Sequence, residues 1–110
     1  MKIVRFAATR RITRLDSHGA TIGGIARCRG DVRLSLVALE PGGAIGLHEA
    51  VSPQLLLVVD GAGRVRSGNN AAVAIAAGEG VLWQAGELHE TTTERGLGAI
   101  VVEGSSLELL

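Results

Sequence analysis

Three side chains in this sequence suit chemistry near neutral pH: His48, His89 and the amide of Gln54. An imidazole gains or loses its proton with a small change of pH, so it can act as an acid or a base. A bare ring nitrogen also binds divalent transition metals. The two rings could therefore hold a metal or hydrogen-bond a small polar ligand. They could equally satisfy each other, Gln54 and trapped water inside a core. Every one of these uses needs the fold to bring both rings to one place.

The rest of the chain must supply that scaffold. Gly accounts for 16 residues and Pro for 2, and the only rings besides histidine are Phe6 and Trp83. Short runs of Val, Leu, Ile and Ala between glycine-rich turns signal many short strands. The pattern predicts strands over 3–6, 20–28, 32–40, 44–48, 54–59, 64–66, 72–76, 80–84, 88–94 and 98–103, with 106–110 as an edge strand. Asp60-Gly61 is expected to close a tight hairpin, and 88–94 to pair with 98–103. No segment keeps a helical period. Closely spaced turns indicate an all-β antiparallel sandwich or barrel. A chain of 110 residues suffices for one domain, 1–110.

Both histidines sit in spaced patterns. One runs Gly42, His48, Ala50, Gln54, Gly61, and the other runs Gly78, Gln84, Gly86, His89, Thr93. The spacing throughout, and the residue types at Gly42, His48, Gly61, Gly78, Gly86 and His89, resemble the two motifs of the cupin superfamily, here at 42–61 and 78–93. The chain resembles in particular the small single-domain bacterial cupins with a His-x-Ala-x-x-x-Gln variant. That likeness implies a single small antiparallel β-barrel, a double-stranded β-helix or jelly roll. Four anchors depart from the family pattern. Ala50 stands for the second His of the first motif and Gln54 for its Glu. Gln84 stands for the Pro of the second motif and Thr93 for its Asn.

In metal-binding cupins, the two His and the Glu of the first motif and the His of the second hold one divalent metal. By position the resemblance leaves His48, Gln54 and His89 as ligands for a divalent transition metal (Zn, Fe, Mn or Ni), with no donor at Ala50. These three supply no negative charge, and an amide oxygen is a weaker partner than a carboxylate. The implied metal site is degenerate.

Strand parity extends the pocket. With Gln54 facing inward, Leu56 and Val58 follow, and Thr91 and Thr93 share the face of His89. Glu49 and Glu90 fall on opposite faces from their histidine neighbours. Trp83 is expected as a core or interface anchor, or else a pocket wall. Leu55, Leu57 and Val59 then form an outer apolar stripe, which another sheet of the chain or a second subunit must cover. A homodimer is the hypothesis.

Eleven basic residues balance eleven acidic ones, which argues against non-specific binding to nucleic acid or anionic lipid. The charge is divided, however: residues 1–33 carry a balance of +6 and residues 34–110 one of −6. Two rings are too few for a base-stacking platform. No apolar run approaches membrane-span length, and a single Cys28 fits a reducing cytoplasm. Three functions remain. They are a binding module for a small molecule, a metal-dependent oxygenase or isomerase, and a structural or regulatory dimer with a vestigial site. The absent donors at Ala50 and Gln54 weigh against the enzyme, and the retained His48 and His89 against the vestige, so the binding module leads.

Overall fold

The computed structural model describes residues 1–110 as twelve strands without a helix. They are β1 (Lys2–Arg5), β2 (Arg10–Ile12), β3 (Ala20–Ile22), β4 (Ala26–Arg29), β5 (Arg33–Leu39) and β6 (Ala44–Glu49). Then follow β7 (Gln54–Ser67), β8 (Val73–Ala76), β9 (Glu79–Trp83), β10 (Leu88–Thr92), β11 (Leu97–Glu103) and β12 (Ser106–Leu109). No helix long and apolar enough to cross a membrane is present.

Eight strands build two antiparallel layers. The first runs β1, β9, the leading half of β7, β11 and β5. The second runs β8, the trailing half of β7, β10 and β6. Alternation decides what lies between them. Leu56, Val58, Val81, Trp83, Leu97, Ala99 and Val101 point inward from the first layer and meet Val65 and Ile75 from the second. This is an all-β jelly roll, as the sequence predicts.

The strand β7 belongs to both layers, which corrects the expected hairpin at Asp60-Gly61. Residues 54–59 and 64–66 lie on one continuous strand. Gly61 does take a positive φ, +74°, but as a bend where the strand changes layer. The register against β11 slips there: Gly98 faces Asp60 while Ala99 faces Val58, leaving Val59 as the extra residue. The glycine signal was real, and it marked a bulge because partners wait on both sides of the bend.

Two further expectations are corrected. β10 and β11 do not pair; the chain crosses between layers at 93–97. Thr93 fixes that crossing by donating to the Ala62 carbonyl and accepting from the Gly96 N–H. The expected strand 20–28 is broken at Gly23-Gly24. β3 pairs with β2 in one ribbon, and β4 pairs with β12 in another.

The β4–β12 ribbon matters for the outer stripe. Leu55, Leu57 and Leu82 are buried under Val4, Phe6, Ile25, Leu107 and Leu109 of the same chain. Only Val59 of the expected stripe remains exposed.

Candidate functional site

Four residues form a row across the inner face of the first layer. Arg33 on β5 stands opposite Glu103 on β11, Glu103 opposite Gln54 on β7, and Gln54 opposite Trp83 on β9. Two positions along lies the row Ser35, Val101, Leu56 and Val81. In the second layer His48 on β6 stands opposite His89 on β10, and Ile45 opposite Thr91. The layers enclose an open cavity of about 240 Å³. Its polar lining is Arg33, Ser35, His48, Gln54, His89, Thr91 and Glu103. Val37, Ile45, Leu56, Trp83 and Val101 form the walls.

The two imidazoles are stacked at a tilt, 4.1 Å between ring centres and 52° between planes. His89 is buried and His48 is exposed at the mouth. Nδ1 of His48 lies 2.7 Å from the Gly46 carbonyl and Nδ1 of His89 lies 3.3 Å from that of Glu87. A carbonyl only accepts, so each Nδ1 carries its hydrogen, and Nε2 of an uncharged ring is bare. Burial pushes the pKa of His89 down and the neighbouring His48 ring adds to this, against the Glu87 carbonyl bond and the Glu87 and Glu103 carboxylates.

Behind His89 stands Trp83, 4.5 Å away between ring centres. It is both a core anchor and a pocket wall. Its indole N–H is the one buried side-chain polar atom without a partner. The Gln54 amide nitrogen donates to the Glu103 carboxylate.

Five of the seven expected pocket residues meet at the cavity: His48, Gln54, Leu56, His89 and Thr91. Val58 and Thr93 do not line it. Val58 fills the core, and the Thr93 hydroxyl is consumed by the layer crossing. Glu90 pairs with Arg66 at 2.7 Å, away from the cavity. Sequence reasoning missed Arg33, Ser35 and Glu103. The signal for Glu103 was the alternation Leu97, Ala99, Val101, an inward apolar face that ends on a carboxylate.

Three known structures share this fold. A cupin superfamily protein from Desulfitobacterium hafniense superposes with a TM-score of 0.62 at 11% identity, covering 94% of this chain and 97% of its own. A cupin-like protein from Thermotoga maritima gives 0.64 at 21% identity, covering 72% and 64%. The fold is that of the cupin superfamily. A predicted oxalate decarboxylase, also from Thermotoga maritima, superposes with a TM-score of 0.58 at 25% identity, covering 70% and 65%. No family model and no curated protein matches the sequence.

The cupin frame permits a test of the metal centre it implies. Ala50, at the position of the second histidine, is buried and has no donor atom. No group of three or more His, Cys, Asp or Glu side chains is placed to hold an ion. The Gln54 amide nitrogen donates to Glu103, which leaves only a neutral oxygen where the family pattern has a carboxylate. Two imidazoles and a neutral amide do not fit the four-ligand, three-imidazole and one-carboxylate centre of a metal-binding cupin.

Proposed function

We propose that this chain is a cupin-type binding module, a single domain over 1–110, that takes a small polar molecule into the cavity between its layers. One observation carries the reading: two imidazoles, an amide and a carboxylate converge on one apolar-walled space of about 240 Å³. Polar groups that converge in a cleft are what fixes the orientation of a bound small molecule. At about 30 Å³ per water, that space equals roughly eight water volumes. His48, Gln54, His89 and Thr91 contact the ligand, and Leu56 supports it from the wall. No step of this reading runs through a metal.

The partner proposed for the outer surface is a second copy of this chain. β5 is an edge strand, and its outward Leu34 and Leu36 are 67% and 85% exposed. Unpaired backbone beside exposed leucines invites strand addition.

The binding test is a screen of small molecules by melting shift, repeated in His48→Ala and His89→Ala. Hits lost in both variants support the reading. Hits retained in both overturn it. Elemental analysis of untagged protein should show metal well below one ion per chain, and a chelator should leave the melting temperature unchanged.

A further inference from the structure

The row Arg33, Glu103, Gln54 and Trp83 places a carboxylate one strand away from the motif position that lacks it. Glu103 accepts from the Gln54 amide nitrogen. A carboxylate has no hydrogen to give, so the contact decides which way the amide faces: nitrogen to Glu103, oxygen away. The histidines are set by the same logic, each with Nδ1 against a carbonyl and Nε2 bare. The cavity thus offers Nε2 of His48, Nε2 of His89 and Oε1 of Gln54 as lone-pair acceptors, beside one carboxylate. The cation at the rim, Arg33, is exposed, so water and salt screen its attraction.

Building on the ligand-binding reading above, we propose that Glu103 is a positioning residue that turns the Gln54 amide oxygen to the cavity. We infer further that the site takes small uncharged polyols in preference to carboxylates. Hydroxyl groups donate to the three acceptors. The carboxylate group of an acid has no hydrogen to give these acceptors and meets the charge of Glu103 in a partly desolvated space. The cavity volume suits a chain of roughly three to six carbons.

Trp83 is the only tryptophan and the chain has no tyrosine, so its emission reports on the cavity wall directly. The test titrates the full chain with matched pairs: glycerol against glycerate, erythritol against erythronate, glucitol against gluconate. In the wild type the polyol should bind about tenfold tighter than its acid, a difference of about 1.4 kcal/mol. In Glu103→Gln the charge is gone and the amide is free to turn, so the ratio should fall below about threefold. Glu103→Asp keeps an acceptor and a charge, and should retain most of the preference, which separates positioning from mere folding. Tighter binding of the acids by the wild type overturns the polyol inference and leaves ligand binding standing. A full preference in Glu103→Gln overturns the positioning role. No response to any of the six compounds, in emission or in melting temperature, overturns the inference. If the wider melting screen is also silent, the ligand-binding reading falls with it.

Discussion

The Trp83 indole and the His89 imidazole lie 4.5 Å apart between ring centres, inclined by 35°. Burial holds the pKa of His89 below its ordinary value, so the folded chain takes up this proton at a lower pH than the unfolded chain does. The contribution to stability is therefore complete above the unfolded value of about 6.5 and is lost as the pH falls below it. Chemical unfolding followed by Trp83 emission should show a constant midpoint between pH 8 and 7 and a declining one below about 6.5. His89→Asn should flatten that decline. An unaltered decline in the variant would assign it elsewhere.

Restoring the family residue at position 54 should harm this chain. Gln54→Glu would set two carboxylates at hydrogen-bonding range, because Glu103 stands directly opposite. Like charges so placed cost about 1–2 kcal/mol at pH 7 and drive one pKa up. The loss should shrink near pH 4.5, where a shared proton is available. Adding Glu103→Gln to Gln54→Glu should recover most of the stability, a coupling that a double-mutant cycle measures.

Gly61→Ala is expected to be among the most damaging single-methyl additions. The backbone there has φ +74°, and a Cβ would run into the Gly96 carbonyl oxygen. Left-handed backbone alone costs an alanine about 1–2 kcal/mol, and the overlap adds to it, so a loss of about 3 kcal/mol should appear in denaturant unfolding. Gly68→Ala makes the comparison: its φ is +56° but the space beside it is open, so it should cost less.

Glu87 ties Met1 to the loop between β9 and β10. Partial burial disfavours its charge, but the Gln84 N–H, the terminal ammonium at Met1 and the Ser67 hydroxyl outweigh that and hold its pKa at about 2. A depressed carboxylate stabilises the fold above its unfolded pKa, and that support fades as the pH drops from about 4.5 towards 2. Allowing for solvent screening, Glu87→Gln should cost about 1 kcal/mol at pH 7 and less in acid, read from melting curves across pH.

Light scattering at micromolar concentration should return twice the 11.3 kDa chain mass. Leu36→Lys, on the exposed face of the edge strand, should return a folded monomer whose melting temperature no longer rises with protein concentration. A monomeric wild type would remove the dimer.

Strand content and the inward parity of Gln54 and Leu56 were legible because period-2 alternation is a local signal, and the meeting of His48 with His89 was legible only through the resemblance of the two motifs to a known family. Long-range pairing was not. Glycine at 61 carries the same positive-φ signal whether the chain folds back or bends onward, and only the partners on each side decide. Glu103 escaped attention because its role depends on β11 lying beside β7, a fact absent from residues 97–103 themselves. The covering of Leu55 and Leu57 likewise required knowing that the segment around Ile25 returns with Leu107 and Leu109.

A single strand threading both layers also has a kinetic meaning. β7 cannot leave one layer without loosening the other, so neither half of the sandwich offers an independent route of opening. Amide hydrogens of Leu56 and Val65, on opposite sides of the bend, should exchange with deuterium at rates governed by one common global event.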